Sequence, residues 1–114
     1  MTVWYRVREL DAGRGFYSGK LGFEETYLDV EGRWAKLRRG AMEIALAEGE
    51  PEEGGVAHVD VDDVSAEQAR LKDEGVEVGV VLELLGTVRI LDVFDPDGNR
   101  IQLAQELRVP DPAA

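Results

Sequence analysis

The chain contains no cysteine among its 114 residues. That excludes disulfides, thiolate nucleophiles and thiolate metal ligands together. Basic residues are scarce: 13 Lys and Arg stand against 24 Asp and Glu, a formal charge of −11. Recognition of a polyanion rests on neutralising phosphates with Lys and Arg, so nucleic acid and anionic membrane are poor partners. No apolar run approaches the ~20 residues of a membrane span. The first residues open on a strand pattern rather than a signal peptide, so cytoplasmic residence is expected. Histidine occurs once, as His58, which leaves little material for an imidazole-rich metal site.

What the chain has is alternation punctuated by turns. The length suits one domain with a real core, expected over residues 1–107. Thr87 to Phe94 alternates, Asp95-Pro96-Asp97-Gly98-Asn99 follows, and Arg100 to Glu106 alternates again. Pro96 fixes φ, Asp97 and Asn99 are expected to bond their own backbone, and Gly98 accepts a positive φ, so a tight turn should join two antiparallel strands. Upstream, Val3, Tyr5 and Val7 alternate with Trp4, Arg6 and Arg8, the signature of a half-buried strand. Asp11 is an expected N-cap for a helix over Ala12 to Lys20, ended at Gly22. Extended segments follow at Phe23 to Val30, Arg33 to Arg38 and Ala41 to Ala47.

The second half repeats this order after an acidic connection at 48–55, expected to be exposed. Val56 to Val61 reads as a strand. A helix capped by Asp63 or Ser65 runs to Glu74, and strands follow at Val76 to Leu84, Thr87 to Phe94 and Arg100 to Glu106. Val7 falls on Val61, Leu10 on Val64, and Ile44-Ala45-Leu46 on Ile101-Gln102-Leu103. A self-similar spacing of about 54 residues predicts two tandem βαβββ modules, 1–47 and 56–107, followed by a fraying tail at 108–114. The expected fold class is α+β.

Phe16-Tyr17, Leu21-Gly22-Phe23 and Asp95 to Leu103, in this order and within this duplication, resemble the vicinal oxygen chelate superfamily of glyoxalases, bleomycin-resistance proteins and extradiol dioxygenases. The resemblance covers Thr2 to Glu106. It implies a curved, incomplete barrel with the helices outside and a concave face that holds a small molecule and, in the enzymes, a divalent metal. Alternation independently turns Val3, Tyr5, Val7, Ala57, Val59, Val61, Ile101 and Leu103 toward the helices. It turns Thr2, Trp4, Arg6, Val56, His58, Asp60, Arg100 and Gln102 toward the hollow.

The resemblance places the metal ligands at Thr2, Ala45, Val56 and Gln102. Only Gln102 is a plausible donor, and a divalent ion wants several strong N or O ligands. The metal site therefore reads as lost, with no cofactor expected. Trp4 offers a flat apolar surface and Arg6 a planar cation, either for a ligand or for neutralising Asp60 or Glu43. Trp34 reads as an edge or interface residue. His58 and Asp60 share a strand face, and with Glu43 they form the alternative, a displaced metal centre for a lyase, isomerase or dioxygenase. As a hydrogen-bonded pair, His58 and Asp60 could also transfer protons. The leading expectation is a small-molecule-binding protein that takes an aromatic or cationic compound through Trp4, Arg6, Glu43, His58, Asp60 and Gln102. A protein with no ligand is the remaining alternative. Open sheet edges, and the pairing of subunits common in the family, make a homodimer the expected assembly.

Overall fold

The computed structural model describes residues 2–107, so the expected tail at 108–114 lies outside the described residues. β1 (Thr2–Val7), α1 (Leu10–Gly19), β2 (Glu24–Asp29), β3 (Trp34–Arg39) and β4 (Met42–Glu48) form the first module. β5 (Ala57–Asp60), α2 (Val64–Asp73), β6 (Glu77–Val78), β7 (Leu82–Leu84), β8 (Val88–Phe94) and β9 (Arg100–Glu106) form the second. In each module the first strand pairs parallel to the last, β1 with β4 and β5 with β9. The remaining pairs are antiparallel, giving sheet orders β1-β4-β3-β2 and β5-β9-β8-β6, with β7 also on β8. The fold is α+β, two tandem βαβββ units whose sheets leave the barrel open.

A parallel pair needs a crossover, and α1 and α2 supply it. Each helix buries a few positions against its sheet: Leu10 and Tyr17 from α1, Val64 and Leu71 from α2. One apolar cluster runs through both modules, from Tyr5, Val7, Leu37 and Ile44 to Val59, Leu91, Ile101 and Leu103. Gly13 lets α1 approach β1 closely. A Cβ there would stand 3.1 Å from a Val7 methyl.

Two expectations are corrected. The first helix begins at Leu10 rather than after Asp11, and its N-cap Glu9 makes no side-chain bond. Glu48 of β4 caps it from a distance, accepting Leu10 N–H at 3.0 Å while also pairing with Arg33. Hydrogen bonds from Arg33 and from the Leu10 backbone hold the Glu48 carboxyl below its ordinary range. The expected strand from Val76 to Leu84 divides into β6 and β7. Between them Gly79 donates to Asp92 O, but its own carbonyl accepts Gln68 Nε2 of α2 at 3.0 Å and leaves the ladder. The acidic connection, largely open to water, lies along β1: Glu50 is 3.6 Å from Arg8 and Glu52 3.4 Å from Arg6. α2 follows expectation, with Asp63 accepting Ala66 N–H at 3.1 Å.

The Asp95 turn is centred on a residue other than those expected. Asp95, 5% exposed, accepts the backbone N–H groups of Asp97 and Asn99 on Oδ1, each at 2.9 Å. On Oδ2 it accepts the Tyr17 hydroxyl and Asn99 Nδ2, each at 2.8 Å. Asn99 Nδ2 also donates to Arg6 O at 2.8 Å, and Asp97 receives Arg8 rather than its own backbone. Tyr5 completes the seam between modules, donating to Arg100 O at 2.6 Å and accepting Ala57 N–H at 2.8 Å. Burial pushes the Tyr5 phenol up to about 12. Burial, and next the Asp95 charge, push Tyr17 further in the same direction, so both stay protonated donors. Among the described residues no helix is long and apolar enough to cross a membrane.

Removing one donor from a buried carboxylate leaves part of its charge unsolvated. Tyr17→Phe should therefore lower unfolding stability by about 1–3 kcal/mol, read as a lower urea midpoint with an unchanged m-value.

Candidate functional site

Strand parity builds an aromatic face on the first sheet. Tyr5 and Val7 on β1, Ala35 and Leu37 on β3, and Ile44 and Leu46 on β4 are buried. Their neighbours therefore point the other way. Register lays these out in rows: Trp4, Ala45 and Lys36 in one, Arg6, Ala47 and Trp34 in the next, with Tyr27 of β2 opposite Lys36. The small Ala45 and Ala47 let the larger side chains meet above the sheet. Trp4 and Trp34 have ring centroids 5.5 Å apart, and Tyr27 and Trp34 5.0 Å, both pairs tilted. Lys36 Nζ lies 5.8 Å from the Trp34 ring centroid, within cation–π range. Trp34 is fixed by its Nε1 donating to Asp29 Oδ2 at 3.2 Å.

Trp4 is 53% exposed and Tyr27 48%. Exposed aromatics grouped in this way form a ready surface for a flat ring. Beside them a cavity of about 550 Å³ opens between β1 and the acidic connection, bounded by Trp4, Arg6, Ala47, Glu52 and Glu53. Arg6 is paired there with Glu52 rather than with Asp60 or Glu43. Glu53 enters no ion pair among the described residues.

The six residues singled out in the sequence fall into two groups. Trp4, Arg6 and Glu43 stand on the first sheet, where Glu43 accepts the Thr2 hydroxyl. His58, Asp60 and Gln102 stand on the second. His58 lies opposite Gln102 and Asp60 opposite Ala104 in register, and Gln102 Nε2 donates to Asp92 Oδ1 at 3.3 Å. Among the described residues no side-chain hydrogen bond or ion pair joins the two groups, or His58 to Asp60. The displaced centre of Glu43, His58 and Asp60 is likewise not assembled: no group of three or more His, Asp or Glu is placed to hold a metal among the described residues.

Trp34, read as an edge or interface residue, packs between Trp4 and Tyr27 in the aromatic face. Tyr27, Lys36 and Glu52 were missed. Parity with Ala35 and Leu37 could have found Trp34 and Lys36. Nothing local could have found Tyr27, because β2 shifts register between Glu25 and Tyr27 and the simple alternation breaks there.

The model of the Glyoxalase/Bleomycin resistance protein/Dioxygenase superfamily matches residues 2–103. The chain belongs to that superfamily. An antibiotic-binding protein, TnmS3 from Streptomyces sp. CB03234, is 26% identical over 93% of each chain, with a TM-score of 0.77. A member of the superfamily from Sphaerobacter thermophilus DSM 20745 is 22% identical over 92% of this chain and 94% of its own, with a TM-score of 0.79. The fosfomycin resistance protein FosX from Mesorhizobium loti is 19% identical over 94% and 89%, with a TM-score of 0.68. No curated protein gives a significant match.

The positions at which the superfamily's enzymes are expected to hold metal do not fit one here. Thr2 spends its hydroxyl proton on Glu43, Ala45 is a fully buried methyl, Val56 has no donor atom, and Gln102 is engaged by Asp92. A neutral amide oxygen alone does not hold a divalent ion against water. Protein purified without chelator should carry well under one equivalent of Ni, Zn, Mn or Fe by elemental analysis, and His58→Ala should leave that content unchanged. Stoichiometric metal that vanishes in His58→Ala would restore the displaced centre.

Proposed function

We propose that this member of the superfamily binds a small molecule without metal, taking a flat aromatic or cationic compound against its first sheet, and that it works as a homodimer. The observation that carries the reading is the grouping of half-exposed Trp4 and Tyr27 about the partly buried Trp34, beside an open cavity. A monomeric soluble protein gains nothing in folding from keeping such rings exposed, and grouped exposed apolar surface marks a binding region. The cationic half of the reading is supported by Glu53 on the cavity wall and by a formal charge of −11, which draws cations at low salt. TnmS3, the antibiotic-binding protein at 26% identity, lends the same direction.

Each element has a role. Trp4 and Trp34 stack on the ligand ring, and Asp29 fixes the angle of Trp34. Arg6 and Glu52 together set the width of the cavity. Glu53 receives a positive group. His58, Asp60 and Gln102, on the second sheet, are assigned to the far side of the ligand or to a partner's ligand.

Titration with a panel of planar aromatic cations, in chelator, should quench tryptophan emission saturably. Trp4→Ala should weaken that binding by about tenfold or more, on the scale of an aromatic contact plus its buried area. Its unfolding midpoint should hardly move, because Trp4 is largely exposed. Absence of saturable quenching across the panel would count against the proposal.

A further inference from the structure

The two helices end at one place. α1 closes on its cap Lys20 and α2 on its cap Glu74, and both caps border a cavity of about 360 Å³ on the seam between the modules. Its apolar walls are Phe16, Val76, Phe94 and Pro96, and it shares no residue with the cavity beside Trp4. Phe16 stands edge-on to Tyr17 with ring centroids 5.3 Å apart, and Tyr17 is tied to Asp95, so that wall is stiff. Phe94 lies opposite Glu77 in the antiparallel pairing of β8 with β6, which sets a ring and a carboxylate on one sheet face. The charges lining the cavity do not cancel: Glu74, Glu77 and Asp95 stand against Lys20 alone. Lys20 Nζ is 3.8 Å from Glu74 Oε1, while Arg70 takes the other Glu74 oxygen at 2.7 Å. Glu77 enters no ion pair among the described residues. The C-terminal ends of two helices add partial negative charge.

We propose that this seam cavity is a second ligand site, and that it takes a small arylalkylammonium ion, one aromatic ring on a short chain ending in a protonated amine. The ring packs against Phe16, Val76 and Phe94, while the ammonium meets Glu77 at the rim. The volume suits a ligand of that size. A carboxylate or phosphate is repelled by the same charges, and an uncharged ring leaves them unused. Lys20 acts as a tethered competitor. Its side chain is 41% exposed and its pairing with Glu74 is loose, so displacing it costs little. The site stands independently of the ligand reading of the first sheet. Its floor is Asp95, the carboxylate that joins the modules, so a bound cation would sit directly above their shared anchor.

Phenethylammonium chloride, titrated at constant ionic strength into isotope-labelled protein and followed by amide chemical shifts, tests this directly. Saturable shifts are expected at Lys20, Gly75, Val76 and Glu77, and they should persist in Trp4→Ala. Glu77→Gln should weaken this binding about fivefold, and Lys20→Gln should strengthen it severalfold. Both variants should keep the wild-type urea midpoint, because Glu77 is exposed and Lys20 belongs to a loose surface pair. Phenethyl alcohol, the uncharged counterpart, should bind the wild type about fivefold more weakly or worse; this comparison needs no variant. Shifts that never saturate, that gather on the first sheet alone, or that are equal for amine and alcohol overturn the proposal. So does a Glu77→Gln chain with wild-type affinity, or a Lys20→Gln chain that binds no more tightly than the wild type. Tryptophan quenching scores the first-sheet reading separately, so either site can fail while the other stands.

Discussion

A single buried carboxylate holds the two modules in register. Asp95 sits at the end of β8, yet its oxygens receive donors from its own turn and from Tyr17 of the opposite module. A lone charge at that depth would be strongly disfavoured; with four donors it becomes a fixed anchor. Through Asn99 the anchor reaches the backbone of β1 at Arg6. Through Tyr5 the neighbouring β1 residue reaches β5 and β9. The strand that displays Trp4 and Arg6 is therefore clamped from both modules.

That clamp explains why the site can sit on strands rather than loops. Side chains on alternate strand positions are aimed by the backbone, and burial of Tyr5 and Val7 leaves Trp4 and Arg6 only the outer face. The two alanines on β4 matter as much as the aromatics, since larger residues at Ala45 and Ala47 would separate the Trp4 and Trp34 rings. Glu48 adds a second bridge, tying the N-terminus of α1 to the turn before β3 through Leu10 and Arg33. The aromatic face proposed to meet a ligand is thus supported from beneath by hydrogen bonds remote in sequence.

The duplicated order of elements was legible because alternation and turn chemistry are local. Gly98, with φ +86°, and Asp63, as a helix cap, behave as their residue types dictate. What was not legible depends on distance. The cap for α1 comes from Glu48, which no local rule could pair with Leu10. Arg6 found Glu52 because the acidic connection folds back along β1, with Gly54 lying close to the Trp4 carbonyl and Gly55 to Val3. Arg33, with a positive φ of 58°, redirects the chain just before β3, so the facing of Trp34 follows from the parity of Ala35 and Leu37 and not from the residues before it. Alternation turned the six chosen residues to the strand face away from the helices, but it assigns a face and not a neighbour, so it could not show which of them meet.

The connection over β1 is held by Arg6 with Glu52 and Arg8 with Glu50, pairs that are largely open to water. Such pairs are weak and fade as ions screen them, whereas contacts between rings do not. One wall of the cavity is therefore elastic and the other stiff. Ionic strength becomes a dial on the width of the mouth, so that added salt would retune access without touching the floor.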